Sequence, residues 1–440
     1  MPPATHRRQK RPTCRTIVAL VFASLLLYPR PAAAYSVLAH EAAVDSVWDD
    51  VVAGLLSQRF PGLSAAELEK ARAFAYGGSL IQDLGYYPFG SHLFTNLTHY
   101  VRSGDFVEAL IRDAQDVNEY AFALGALAHY ASDNTGHPIA VNRAVPLVYP
   151  KIRRKVGDVA LYADSPTRHL MVEFAFDVLQ VARGEYASQD YRKRVGFEVS
   201  KPLLERAFRE TYALELKDLF LNVDLAMGTY RRAIGTTIPE MTRIAWREKR
   251  DEIEKVTPGV ARNAFVFTLS GREYDRQFGT EYYKPGVLAR FVTFLVKIVP
   301  KIGPFRALAF RPLTPEAARL FLESVTIART RYRGALDAVG QGRLNLANSD
   351  FDTGERPAPG KNPLADETYA ELLQKLEDRK FAGVPVELAR DINGHFAGAA
   401  VPSSGSDRAT TKEEKRLRRL LAALNAAASG EPSNAARELR

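Results

Sequence analysis

The sequence predicts an all-α fold: a multi-helical bundle with a helical C-terminal extension. Three observations carry this expectation. Apolar residues recur at intervals of three and four along most of the chain, alternating strand patterns are scarce, and helix-start signals precede several of the periodic segments. The chain has 440 residues and 46% hydrophobic content, enough to bury a large core.

Residues 1–34 read as an export signal. Arg7, Arg8, Lys10, Arg11 and Arg15 precede the apolar run Ile17 to Leu27, and Ala32-Ala33-Ala34 offers a small-residue cleavage site. The other reading is an uncleaved anchor, but the run is short for a membrane span. Cleavage after Ala34 gives a secreted or periplasmic protein that begins at Tyr35. Beyond it, His40, Val44, Val47, Val51 and Leu55 mark one face of a first helix. Ser64 with Glu67 three residues on is a capping-box pattern that opens a helix over 64–82, loosened at its end by Gly77-Gly78. Asp83 to Thr98, rich in aromatics, Gly and Pro, reads as a loop. A long helix follows over about 105–133, with a break near Asn118, and stops at Gly136-His137-Pro138. Ser165-Pro166 is an N-cap with proline at the first helical position, and its helix ends at Gly184. Further helices are expected at about 200–220, 222–255, 285–299, 314–338, 365–378 and 411–428. Asn348 to Pro363 is a loop by composition, and the residues from Pro402 read as a mobile tail with one short helix.

Charge narrows the partners. The net charge of +9 falls to +3 without residues 1–34, which hold six basic residues and no acid. The tail from Pro402, with eight basic and five acidic residues, accounts for the remainder. The body is near neutral and carries no basic stripe, so nucleic acid is not the favoured partner. The single cysteine, Cys14, lies inside the signal. Thiolate ligands and disulfides are thereby excluded from the mature chain, and any metal must be held by imidazole, carboxylate and backbone groups.

The histidines point to such a metal. Of eight, six fall between His40 and His169. Two of them stand one helical turn before a carboxylate, in His129-x-x-x-Asp133 and His169-x-x-x-Glu173, a spacing that puts both side chains on one helix face. An isolated pair of this kind is often a surface pair, and an isolated histidine on an apolar face is usually a hydrogen-bonded core residue. Five histidines and three carboxylates at helix ends or on inward faces favour a multinuclear metal site.

Tyr-Ser-Val-Leu-Ala-His at 35–40, Gly78-x4-Asp83, Ser91-His92, His129-x3-Asp133-x3-His137 and His169-x3-Glu173 resemble the zinc-dependent phospholipase C family. Relatives of that family include the catalytic domain of glycosylphosphatidylinositol-specific phospholipase D and the three-zinc single-strand nucleases. The resemblance covers about residues 35–173. It implies three zinc ions. Asp83, His92, His129 and Asp133 would hold one; the amine and carbonyl of Tyr35, with His40 and a bridging Asp133, a second; and His137, His169 and Glu173 the third. Tyr35 stands where the bacterial phospholipases and the nucleases have Trp, but the ligand atoms there are backbone. His99 has no place among these ligands. It could replace His92, contact substrate phosphate or support the loop; His92 is favoured because Ser91-His92 matches the motif in place.

The resemblance divides the chain into a signal at 1–34, a catalytic domain at 35–255, a helical extension at 256–400 and a mobile basic tail at 401–440. A monomer is expected. The implied reaction is phosphoester hydrolysis by a zinc-bound hydroxide, with the third zinc binding phosphoryl oxygens and Asp83 accepting or orienting the water's proton. A phospholipid headgroup at a membrane surface is the favoured substrate. A single-strand nuclease or nucleotidase on the same zinc chemistry is the first alternative; Glu173 stands where the nucleases have Asp and so is more like the phospholipases. A non-catalytic zinc-binding protein is the second. Lys284 to Arg311, with six basic residues, no acid and many large apolar ones, suits an interfacial helix or a core helix with a basic outer face. Tyr86, Tyr87, Phe89 and Phe94 are candidates to line a headgroup pocket or to pack the loop.

Overall fold

The structure is a computed structural model that describes residues 37–182, 198–256, 258–266, 310–397 and 407–429. Its described residues are helical or irregular, with no strand among them. The export signal, Tyr35 and most of the basic stretch Lys284 to Arg311 lie outside them.

In chain order the helices are α1 (Val37–Asp45), α2 (Ala53–Arg59), α3 (Ala65–Gly78), α4 (His92–Tyr100), α5 (Ser103–Asp113), α6 (Val117–Gly136), α7 (Asn142–Val148), α8 (Pro150–Val156) and α9 (Pro166–Ala182). They continue with α10 (Lys201–Tyr212), α11 (Leu216–Leu219), α12 (Val223–Arg232), α13 (Ile238–Val256) and α14 (Arg262–Phe265). The last are α15 (Pro315–Gly340), α16 (Pro363–Asp378), α17 (Val386–Ala397) and α18 (Asp407–Ser429).

Helix α6 is the axis of the molecule. Almost every residue from Glu119 to Gly136 is buried. Its side chains are small (Ala121, Ala123, Gly125, Ala126, Ala128, Ala131), which keeps helix propensity high and lets neighbouring helices come close. Asp116 caps its start by accepting from the amides of Asn118 at 2.8 Å and Glu119 at 2.9 Å. The expected break near Asn118 is therefore this cap, and the expected long helix is two, α5 and α6.

Helix α3 begins with the expected capping box. Ser64 Oγ accepts from the Glu67 amide at 3.3 Å, and Glu67 Oε2 accepts from the Ser64 amide at 2.8 Å. Its glycines do not loosen its end. A Cβ on Gly78 would lie 1.9 Å from the Phe122 carbonyl oxygen, and one on Gly125 would lie 1.9 Å from that of Ala75. Glycine on both helices lets the backbones of α3 and α6 meet directly, and this sets the distance between the elements that carry Asp83 and His129.

Three other expectations change. Residues 83–98 are not a loop: a 3₁₀ turn covers Ile81–Tyr86, and α4 starts at Ser91, whose hydroxyl accepts from the Phe94 amide at 3.4 Å. The first helix is interrupted after Asp45 and continues as a π turn (Trp48–Val52) before α2. The tail carries a helix of 23 residues, α18, rather than a short one, and it packs on α17.

The C-terminal extension is built into the bundle. Helix α15 lies along α6. Tyr332, 1% exposed, donates from its hydroxyl to the Leu124 carbonyl at 3.0 Å, and Arg331 reaches Thr135 Oγ1 at 3.0 Å. No helix among the described residues is long and apolar enough to cross a membrane.

Candidate metal centre

Five buried side chains from four elements converge beside the middle of α6. His129 and Asp133 share one face of α6, His40 comes from α1, Asp83 from the 3₁₀ turn after α3, and His99 from the end of α4. None is more than 2% exposed. Asp133 Oδ1 lies 3.4 Å from His40 Nε2; its Oδ2 lies 3.2 Å from His129 Nε2 and 3.6 Å from His99 Nε2. Asp83 Oδ1 lies 3.3 Å from His99 Nε2. Two triads bring one ligand atom each to within 4.8 Å of one another: His40, His129 and Asp133, and Asp83, His99 and His129. The Asp133 carboxylate thus spans the two, one oxygen towards each side.

The hydrogen bonds around the cluster orient its rings. His129 Nδ1 lies 2.9 Å from the Ser79 carbonyl, and His99 Nδ1 lies 2.8 Å from the Thr95 carbonyl. A carbonyl can only accept, so each Nδ1 carries a proton, and each Nε2 is turned inward, where it offers a lone pair whenever the ring is neutral. Those two Nε2 atoms are 3.3 Å apart. Both Asp133 oxygens and Asp83 Oδ1 are also buried without a hydrogen-bond donor. With the rings neutral the interior of the cluster is acceptors facing acceptors, an arrangement that is costly unless a proton on His99 or a metal cation fills it. Imidazole nitrogen and carboxylate oxygen suit zinc among biological cations, and the fixed second nitrogen of each ring is the usual outer support of such a site.

The same crowding governs protonation. Burial opposes charge on His99, yet its close contacts with Asp133 and Asp83 push its pKa up to about 9. Burial raises Asp83 above the usual carboxylate range, against the pull of His129 and His99. Burial also acts to raise Asp133, but His129 and His40 outweigh it and hold Asp133 well below that range.

A second, looser group lies beyond the C-terminal end of α6. His137 and His169 stack with centroids 6.4 Å apart. His169 Nδ1 lies 3.2 Å from the Ser165 carbonyl, and its Nε2 lies 3.2 Å from Asn142 Oδ1. Glu173 is fully buried, with neither carboxylate oxygen hydrogen-bonded. Burial holds His137 down to about 4 and His169 down to about 3, while it pushes Glu173 well up.

The placement of His92 and His99 differs from the expectation. His92, at the start of α4, is partly exposed and packs edge-on against Tyr86 at 5.8 Å. His99, two turns on, reaches Asp83, His129 and Asp133. Seven residues of helix carry the two rings about 10 Å apart along the axis, so they do not meet at one point. The structure brings His99 to the cluster and leaves His92 beside Tyr86. Tyr35 lies outside the described residues. Near it, the Leu38 amide donates to Asp177 Oδ2 at 3.2 Å, which ties the start of α1 to α9. The remaining described histidine, His395, stacks on Tyr369 with centroids 3.9 Å apart and takes no part in the centre.

Sequence reasoning missed three residues here. Asn142, Phe351 and Asp352 carry no motif, and the last two sit in a segment marked by its composition as a loop. Phe351 is fully buried, with its ring 5.0 Å from His99 and 6.0 Å from His129.

Residues 39–222 match the family model described as zinc dependent phospholipase C. This segment belongs to the zinc-dependent phospholipase C family. No curated protein and no solved structure matches the chain. The family segment spans less than half of the 440 residues but holds every described residue of the expected ligand set, from His40 to Glu173. Membership implies a zinc-dependent hydrolase of the phospholipase C type. Phe351 and Asp352 lie outside the family segment.

Proposed function

We propose that the protein is an exported phospholipase C that hydrolyses phospholipid headgroups at a trinuclear zinc centre. The observation that carries the proposal is the convergence of His40, Asp83, His99, His129 and Asp133 in two buried triads whose ligand atoms lie within 4.8 Å of one another. In this reading Asp83, His99, His129 and Asp133 hold one zinc. His40 and the bridging Asp133, with the backbone of Tyr35 after cleavage at Ala34, hold a second. His137, His169 and Glu173 hold the third.

Zinc at these positions supplies Lewis acidity and a water acidic enough to attack phosphorus near neutral pH. The chain does the rest. The carbonyls of Ser79 and Thr95 fix the His129 and His99 rings, so the ligand atoms need no rearrangement. Asp83, raised by burial, is the group we assign to take up or orient the proton of the attacking water. The rings of Tyr86 and Tyr162, 6.5 Å apart, stand beside His99 and His169 respectively and wall the site on the side of the two histidines.

The test is a parallel assay of the mature, zinc-loaded protein on phosphatidylcholine, phosphatidylinositol and single-stranded DNA. The proposal expects a phosphorylated headgroup and diacylglycerol from at least one lipid. Cleavage of DNA alone would overturn it in favour of a nuclease on the same ligands, and no cleavage of any of the three would favour a non-catalytic zinc protein.

A further inference from the structure

We propose that Asp352, from the C-terminal extension, is a further ligand of the metal at His137, His169 and Glu173. The inference rests on the zinc reading above and extends it beyond the family segment. It gives that ion two imidazoles and two carboxylates, and it makes the extension part of the metal centre.

The carboxylate is fixed and half-used. Asp352 is 6% exposed, and its Oδ2 accepts from the Tyr162 amide at 2.8 Å. Its Oδ1 has no hydrogen-bond donor and faces His137 Nδ1 at 3.6 Å; that nitrogen is equally buried and equally without a partner. At 3.6 Å the pair is too far apart for a hydrogen bond. It matches the spacing of the other imidazole–carboxylate pairs of the centre, which run from 3.2 to 3.6 Å. Two donors bound to one zinc at about 2.0–2.1 Å in tetrahedral geometry are separated by roughly 3.3–3.5 Å. If Asp352 served only to anchor Tyr162, Oδ2 would suffice, and Oδ1 would be left as an uncompensated buried acceptor.

The loop that carries Asp352 is held on every side. Asp350 Oδ1 accepts from the amides of Asp352 at 2.8 Å and Thr353 at 3.0 Å, and its Oδ2 accepts from Asn362 at 2.6 Å. The Phe351 amide donates to the His99 carbonyl at 3.1 Å, and Asn142 Nδ2 donates to the Asp352 carbonyl at 2.7 Å. Upstream, Ser103 Oγ donates to the Ser349 carbonyl at 2.6 Å and Tyr130 to that of Ala347 at 2.7 Å. A Cβ on Gly104 would lie 2.6 Å from the Ala347 carbonyl oxygen, so glycine there admits the loop. Asn142 meets both His169 and the Asp352 backbone, which ties this loop to the same group of ligands.

The experiment is anomalous diffraction from the zinc-loaded wild-type protein, with zinc affinity measured by chelator competition for wild type, Asp352→Asn and Asp352→Ala. The inference expects an ion about 2.0–2.2 Å from Asp352 Oδ1. It expects both variants to lose about tenfold or more in affinity for one of three zincs, while the other two stay bound. If Asp352 only accepts a hydrogen bond from His137, Asn can replace it. Wild-type affinity in Asp352→Asn, or an ion more than about 3.5 Å from Asp352, therefore overturns the inference and leaves the zinc reading intact. A wild-type protein holding fewer than three zincs overturns both. The diffraction arm uses the unaltered chain, so the outcome does not depend on whether the variants fold.

Discussion

His99 Nε2 stands 3.3 Å from His129 Nε2, and each ring has its other nitrogen on a main-chain carbonyl. While both rings are neutral, neither can turn to give the other a proton without losing that anchor. A cation between them resolves the conflict, and His99 alone of the two histidines of α4 stands in this cluster.

Replacement of His99 by Ala is expected to remove zinc and lower phosphodiester turnover by about a hundredfold or more, beyond the usual loss for an outer-sphere partner. His92→Ala, which loses packing against Tyr86, is expected to stay within a few-fold of wild type. Zinc content and turnover of the two variants side by side check this, and the reverse order would return His92 to the ligand set.

Asp133 offers one oxygen to His40 and the other to His129 and His99. Asp133→Asn keeps the shape and removes the charge that two zincs would share. Loss of both zincs and of activity is expected by elemental analysis and assay. Near-normal turnover with fewer than two zincs bound would contradict the proposed centre.

The stability of the metal-free protein is expected to depend on pH above about 7.5. His99 titrates in the fold at about 9, above the ordinary 6.5, so its contribution to stability is complete below 6.5 and is lost as pH rises through 9. Asp352, raised by burial to about 7, and Glu173, raised well above 4.5, hold protons that the unfolded chain has released. Their contributions also fall as pH rises. His137 and His169, depressed to about 4 and 3, are neutral in the fold, and only above about pH 7.5, where the unfolded chain has also released their protons, do they add no slope. The urea midpoint of chelator-treated protein is therefore expected to fall from about pH 7.5 to 9, and zinc is expected to flatten that fall. A midpoint that rises over this range would contradict the burial pattern.

Gly78 and Gly125 hold α3 against α6. A methyl at either position would lie 1.9 Å from a carbonyl oxygen of the facing helix, so Gly78→Ala or Gly125→Ala must push the helices apart. We expect a loss of about 3 kcal/mol or more, at the upper end of overpacking costs, with weaker zinc binding because Asp83 and His129 separate. Denaturant unfolding checks this; a cost below about 1 kcal/mol would show that the contact can relax.

Tyr332 couples the extension to the family segment. Tyr332→Ala removes a fully buried ring and its bond to the Leu124 carbonyl, at an expected cost of about 3–5 kcal/mol. Unfolding of the family segment and the extension in one transition is expected by circular dichroism. Two separate transitions would show that the extension folds apart from the segment it packs on.

Much of the centre was legible because it is written in local spacing. His129 and Asp133 are one helical turn apart, and any helix there must put them on one face. The Ser64–Glu67 box and the break before α6 are likewise local. The choice between His92 and His99 was not, because both lie on the same side of α4 two turns apart. What decides it is which end of that helix reaches α6. The Gly77-Gly78 pair reads as a weak helix end until a second helix with its own glycine is laid against it. Asp352 is more than two hundred residues from His137 in a segment whose Gly, Pro and Asp content signals only a loop; its role depends on how α15 returns the chain to α6.

The most direct measurement is the zinc content of purified wild-type protein after dialysis against metal-free buffer. The account predicts two zinc ions per chain at the cluster of His40, Asp83, His99, His129 and Asp133, and a third at His137, His169 and Glu173. A content below three per chain would contradict it.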